Sequence, residues 1–129
     1  MPYTAPNTKP TIKFTADLEP VPFPRPSTNG KRRYNPPRYS TFKDVLGHLA
    51  KIAMHGQAPF TGKIKLSIVF FKLRPADITS RNWGDLDNHI KAVMDSLIGI
   101  AFIDDRQVSK LTASKEHGEP HIDIELEEV

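Results

Sequence analysis

The chain has 129 residues, a formal net charge of +3 and no cysteine. This length allows one domain with a modest core, and the lack of cysteine excludes a disulfide framework and a thiolate metal site. No apolar run approaches the ~18 residues of a membrane-spanning helix. The N-terminus lacks the basic-then-apolar pattern of a signal peptide, so an intracellular protein is expected.

The charge is polarised along the chain. Residues 25–43 carry six cations and no acid, whereas residues 123–128 are acidic. The basic stretch also contains Tyr34 and Tyr39. Cations neutralise phosphates and aromatic rings stack on exposed bases, so this composition is typical of a loop that binds nucleic acid. The alternative is a solvated turn whose tyrosines pack on the domain.

In chain order, residues 1–10 are rich in proline and predict a flexible N-terminal arm before a domain at 11–129. Residues 11–18 alternate apolar and polar side chains, which predicts a strand that the prolines from position 20 onward terminate. A first helix is predicted to begin at Ser40 or Thr41 and to end at Gly56. Its predicted buried stripe is Phe42, Val45, Leu46, Leu49 and Ala53.

Residues 63–73 begin with alternation and become apolar on both faces, as a central strand does. A polar loop at 74–84 precedes a second helix, whose apolar face recurs with helical spacing from Leu86 to Ile98 and which Gly99 ends. Residues 107–115 and 121–127 are predicted to form a hairpin. The expected fold is α+β, a single domain with two helices on a mixed sheet in the order β-α-β-α-β-β.

Two carboxylate pairs bracket the second helix. Asp85 and Asp87 precede and open it, and Asp104 and Asp105 follow it. One aspartate is enough to cap a helix, whereas four gathered acids repel one another unless a divalent cation lies between them. The helix spans ~20 Å, so the pairs meet only if the chain doubles back from Gly99. The alternative is that these acids are caps and solvated turns.

Lys91 lies four residues after Asp87, on the same side of the helix. An exposed ion pair at this spacing is worth only ~0.3–0.5 kcal/mol. Beside a carboxylate–metal site, the same ammonium could instead steady a phosphate or a leaving oxygen. The spacing leaves both interpretations open.

Taken together, these segments resemble the RusA-type Holliday-junction resolvases. The first match is the family signature D-L-D-N-x-x-K-x-x-x-D followed by D-D-x-Q-V. The second is the family's proline-rich opening, P-x-P-x-x-R-P, followed by a basic aromatic loop. The residues that carry the match are Asp85-Leu86-Asp87-Asn88, Lys91, Asp95, Ile103-Asp104-Asp105-Arg106-Gln107-Val108, Pro20-Val21-Pro22-Phe23-Pro24-Arg25-Pro26 and Arg33-Tyr34.

The resemblance implies a small homodimeric endonuclease, cytoplasmic and of bacterial or prophage origin, that cuts four-way DNA junctions with Mg²⁺, which Mn²⁺ can replace. It implies that Asp85, Asp87 and Asp105 are metal ligands and that Lys91 is a catalytic cation, with Asp104 a weaker candidate. The DNA-binding residues expected from the basic loops are Arg25, Lys31, Arg32, Arg33, Tyr34, Arg74 and Arg81. Two other functions stay open: a nuclease for flaps or other branched DNA, and a DNA-binding module without catalysis.

Overall fold

The computed structural model describes residues 10–24, 37–73 and 85–129. Four strands form one mixed sheet and two α-helices pack on one of its faces, which confirms the predicted fold class and order. Among the described residues, neither helix has the length and apolar character needed to cross a membrane. The elements are β1 (Thr11–Ala16), α1 (Pro37–Met54), β2 (Ile64–Lys72), α2 (Leu86–Leu97), a short 3-10 helix (Asp105–Gln107), β3 (Val108–His117) and β4 (His121–Glu128).

The sheet has the strand order β1-β4-β2-β3, so β2 is an inner strand as predicted. Every second side chain of β2 is buried, from Ile64 to Phe70, and these residues belong to the main hydrophobic core. Strand β4 runs antiparallel to β2 on one side, and β3 runs parallel to it on the other. The most apolar strand therefore lies where both neighbours and both helices can cover it.

The predicted hairpin of the last two strands is wrong, because β2 lies between β3 and β4. The connection crosses the end of β2, where the Gly118 N–H donates to the Lys72 carbonyl at 3.1 Å. A Cβ on Gly118 would lie 3.2 Å from the Phe71 ring, so glycine suits this close crossing. Neighbouring strands in a chain often pair, but here the gain from burying β2 on both sides decides the order.

Helix α1 begins at Pro37, earlier than predicted. Proline suits the first helical position because an N–H group there would have no acceptor within the helix. Its buried side chains are Tyr39, Phe42, Leu46, Ala50 and Met54. The predicted stripe was therefore partly wrong: Phe42 and Leu46 are buried as predicted, but Val45 is 41% exposed. Tyr39 was predicted to lie in the basic loop, and it is a core residue instead.

A buried hydroxyl ties the two helices together. The Tyr39 hydroxyl donates to the Asp95 carboxylate of α2 at 2.7 Å, and the Lys43 ammonium lies 3.3 Å from the same oxygen. Tyr39 is only 1% exposed. Burial raises the pKa of Tyr39 well above its ordinary 10.0, and the hydrogen bond to Asp95 and the charge on that carboxylate add to the shift.

The variant Tyr39→Phe should lose about 1–2 kcal/mol of stability near neutral pH, because a hydrogen bond to a charged acceptor is removed. A tyrosine whose pKa is raised in the folded state contributes stability below pH 10.0 that is lost as the pH rises further. Urea unfolding from pH 7 to pH 11 should therefore show the gap between wild type and variant shrinking above pH 10. A gap that stays constant across this range would contradict the assignment.

Candidate active site

The first two turns of α2 present the first half of the predicted site. Asp85, Asp87 and Lys91 are all exposed there. Asp85 occupies the N-cap position in an extended conformation, but its side chain makes no capping hydrogen bond. Capping, the plain structural interpretation of this aspartate, is therefore not what its side chain does.

The proline-rich segment is attached to the same turns of α2 through Phe23. Its N–H donates to the Asn88 carbonyl at 2.9 Å. Its ring lies under Lys91, with the ammonium 5.0 Å from the ring centroid, and meets the Tyr39 ring edge-on at 5.5 Å. The two sequence motifs, which are separated by some sixty positions in the chain, thus meet at one end of the molecule.

Lys91 is positioned by this aromatic contact rather than by its acidic neighbour. Among the ion pairs of the described residues, none joins Lys91 to Asp87. A cation over an aromatic face is held in direction while its charge stays available to other groups. Phe23 therefore fixes where the Lys91 ammonium points.

Sequence reasoning missed a basic group at the end of β2. Lys72 is only 5% exposed. Its burial lowers the pKa of Lys72, Glu19 opposes that shift, and the nearby cations Arg38 and Lys115 lower it further. The sequence did carry a signal for this burial. Lys72 lies two residues after Phe70, so it is on the same side of the strand as the buried residues from Ile64 to Phe70. A lysine on the buried side of a strand places a positive charge next to the hydrophobic core.

The second half of the predicted site is a tightly bonded turn before β3. The Asp104 carboxylate accepts hydrogen bonds from the Arg106 backbone N–H at 2.8 Å and from its guanidinium at 3.2 Å. These bonds lower the pKa of Asp104 to about 2. Asp104 is therefore occupied in shaping the turn, and the neighbouring Asp105 is the exposed acid.

Gln107 anchors this turn to the rest of the fold. Its side-chain oxygen accepts from the N–H groups of Ile103 and Asp104 at 2.8 and 2.9 Å. Its side-chain nitrogen donates to the carbonyls of Phe60 and Gly62 at 2.8 and 2.9 Å. The glutamine of the D-D-x-Q-V motif thus fixes the acidic turn beside the entry to β2.

Within one chain the two acid pairs lie at opposite ends of α2. The ring of His89 packs on Phe70, near the end of β2, at 5.3 Å between centroids. The Asp105 turn instead lies beside Gly62, just before β2 begins. The strand from Ile64 to Phe70 is about 20 Å long, so the two acid pairs are separated by about the length of β2.

The predicted doubling back from Gly99 therefore does not bring the four aspartates together in a single chain. Gly99 adopts the expected left-handed conformation with φ 87°, but the chain then enters β3 and runs parallel to β2. In the described part of the chain, no three histidine, aspartate or glutamate side chains are arranged to hold one ion. Carboxylate ligands suit Mg²⁺, but the described residues of one chain do not bring three of them together around one ion.

The predicted DNA-binding side chains lie outside the described residues. Two segments carry them, 25–36 and 74–84, and neither is described. The residues concerned are Arg25, Lys31, Arg32, Arg33, Tyr34, Arg74 and Arg81.

The comparison with known families decides the relationship. A sequence model described as endodeoxyribonuclease RusA matches residues 17–127, nearly the whole chain. The chain belongs to the RusA endodeoxyribonuclease family. The match includes both acid pairs, Lys91 and the proline-rich motif at 20–26, so the resemblance stated from those motifs is confirmed. Family membership supports a nuclease that acts on DNA.

A relative in Bacillus subtilis (strain 168) is similar along its whole length. The protein, described as uncharacterized protein YqaN, is 26% identical over an alignment of 137 residues, which covers 92% of this chain and 96% of that protein. The similarity covers most of both proteins, and the description of the relative names no activity.

The variant Gln107→Ala should be destabilised by roughly 2 kcal/mol or more, since four side-chain hydrogen bonds are lost and each contributes about 0.5–1.5 kcal/mol. Urea unfolding measures this loss. In Gln107→Glu the acceptor for the Ile103 and Asp104 N–H groups remains, but a carboxylate oxygen then faces the carbonyls of Phe60 and Gly62. Two acceptors repel each other at this distance, so the loss of stability should be at least as large as in Gln107→Ala. Equal stability of wild type and Gln107→Ala would show that the turn is fixed by other contacts.

Proposed function

We propose that this protein is a metal-dependent endodeoxyribonuclease that resolves four-way DNA junctions by paired nicks in recombination and repair. The observation that carries the proposal is the RusA family match over residues 17–127. Within it, the family's D-L-D acids and helix lysine are exposed together on the first turns of α2. Asp85, Asp87, Asp105 and Lys91 are the proposed catalytic residues, with the three acids as metal ligands.

The points at which the two basic segments join the described fold support a DNA-binding surface at this end of the molecule. Pro24 follows Phe23, which is bonded to α2, and Leu73 follows the last residue of β2. Both segments that carry the predicted DNA-binding cations are therefore joined to the described fold near Asp85. Buried Lys72, with Arg38 and Lys115 close to it, adds positive charge there. Such a surface attracts the phosphate backbone to the acids.

Each proposed catalytic residue has a task that follows from its chemistry. The carboxylates of Asp85, Asp87 and Asp105 are oxygen ligands, which Mg²⁺ prefers and Mn²⁺ also accepts. The bound ion would supply charge neutralisation and an activated water. The Lys91 ammonium, directed by the Phe23 ring, would contact a non-bridging or leaving oxygen of the phosphodiester.

A homodimer is part of the proposal, because a junction must be nicked in two strands related by a two-fold axis. The proposed unit is the domain at 11–129 preceded by a short arm, acting in the cytoplasm on branched DNA. The family match supports DNA as the partner.

One observation favours a competing function. The described residues of one chain do not bring three metal-binding side chains together. A DNA-binding module without catalysis would not need such a group. That module would bind junctions equally well with Asn in place of Asp87 and would not respond to divalent ions. A nuclease for flaps or other branched DNA would differ only in substrate.

Wild-type protein should nick a four-way junction in the presence of Mg²⁺ and not after chelation. Asp87→Asn should lower nicking by at least a hundredfold while junction binding is kept or strengthened, because the variant removes a ligand and a negative charge. Gel assays on labelled junction, flap and linear duplex measure cleavage, and mobility shifts measure binding.

Asp44→Asn is the matched control, since Asp44 is an exposed acid on α1. It should cut at the wild-type rate. Unchanged cleavage by Asp87→Asn would overturn the assignment of Asp87. Faster cutting of flaps than of junctions would replace the four-way junction by flap DNA as the substrate.

A further inference from the structure

A cluster of cations lies where β2 ends, on the face of the sheet that the helices cover. Lys72 is the last residue of β2 and is only 5% exposed. On the neighbouring strand β3, Lys115 is paired with Phe70, which places its Cα atom about 8 Å from that of Lys72. Because Phe70 and Lys72 both point to the buried face, the half-buried Lys115 side chain points there too.

The charges in this cluster do not balance. Among the described residues, the charges that act on Lys72 are one acid, Glu19, and two cations, Arg38 and Lys115. Three cations and one acid are therefore gathered at a place where little water can screen them. Like charges in such a place repel one another, and an anion that binds between them removes the repulsion.

The cluster is near the proposed active site but separate from Lys91. His89 of α2 packs on Phe70 beside the cluster, with 5.3 Å between the ring centroids. Lys91 follows His89 by two positions, which is about 200° around a helix, and its ammonium lies over the Phe23 ring instead. The two basic groups therefore lie on different sides of the first turns of α2.

The backbone on both sides of the cluster is held in place. The Gly118 N–H donates to the Lys72 carbonyl at 3.1 Å, and a ring N–H of His117 donates to the Leu73 carbonyl. These bonds join the end of β3 to the end of β2, so Lys72 and Lys115 keep their relative position. Cations that are already positioned lose less freedom when an anion binds.

We propose that Lys72, Lys115 and Arg38 form a second phosphate-binding site, which holds a backbone phosphate of the DNA other than the one that is cut. Lys115 and Arg38 are the more exposed and make the contacts. Lys72 lies behind them, and its charge acts strongly because burial limits screening by salt. The inference rests on the proposed function, which makes DNA the ligand. The site positions one strand relative to Lys91 and the acids at the start of α2.

The salt dependence of DNA binding reports how many phosphates the protein contacts. Lys115→Gln should weaken binding of a labelled four-way junction by about threefold or more at ~100 mM salt, and should lower the slope of log K against log salt by about one. Fluorescence anisotropy with a chelator present measures binding without cleavage.

Lys65→Gln is the matched control for this measurement. Lys65 belongs to the same strand as Lys72 but is exposed on the opposite face of the sheet. Its loss should leave both the affinity and the salt slope at the wild-type values.

Glu19→Gln separates a phosphate site from an ion pair that only supports the fold. If Lys72 serves only to pair with Glu19, loss of either side chain should lower stability and leave DNA binding unchanged. In the phosphate site, Glu19→Gln removes the opposing acid and should tighten junction binding by about twofold or more, whereas Lys72→Met should weaken it. Urea unfolding shows which variants are folded. Should Lys72→Met not fold, Lys115→Gln and Glu19→Gln decide the question.

Lysine labelling gives a result that needs no substitution. Wild-type protein is treated with an amine-reactive reagent with and without the junction, and mass spectrometry locates the labelled lysines. DNA should protect Lys115 from labelling, and it should not protect Lys65.

The proposed site is overturned if Lys115→Gln keeps the wild-type affinity and salt slope, if Glu19→Gln binds no more tightly than wild type, or if DNA protects Lys65 as well as Lys115. A wild type that binds junctions and protects Lys115 but nicks no branched DNA overturns the nuclease and leaves the phosphate site intact. A wild type that binds no DNA overturns both.

Discussion

The burial of β2 between two strands and beneath two helices is the constraint on which the rest of the structure depends. Because β2 is apolar along most of its length, it occupies an inner position with β4 and β3 on its two sides. The chain must then leave β2 at one end, return through α2, and begin β3 at the other end. This path sets the positions of both acid pairs, since one precedes α2 and the other follows it.

Small local contacts make the two ends of α2 different in character. At the N-terminal end, Phe23 joins the proline-rich segment to Asn88 and Lys91, and α1 is joined through Tyr39. At the C-terminal end, Gln107 and Asp104 build a turn that is fixed by hydrogen bonds. The first end presents acids and a directed cation, and the second presents Asp105 on a rigid support. Family motifs that look like a single catalytic signature therefore include residues whose work is structural.

The sequence by itself determined the elements and the family. Alternation over residues 11–18 and 63–73 and the helical spacing from Leu86 to Leu97 depend on which side chains can be buried locally, so they predicted the strands and α2 well. The paired aspartates with Lys91 and Gln107 identified the family, because order and spacing are properties of the chain alone. The early start of α1 and the burial of Tyr39 were missed, since Asp95, which accepts the hydrogen bond from the Tyr39 hydroxyl, is distant in sequence.

Only the tertiary structure decided which elements are neighbours. The sequence favoured a hairpin of the last two strands, because a short turn connects them; burial of β2 on both sides placed it between them. The sequence likewise suggested that four aspartates meet, because nothing in their spacing records the direction of β3. That direction is set by packing across the whole sheet, and it places Asp105 and Asp87 at opposite ends of one helix.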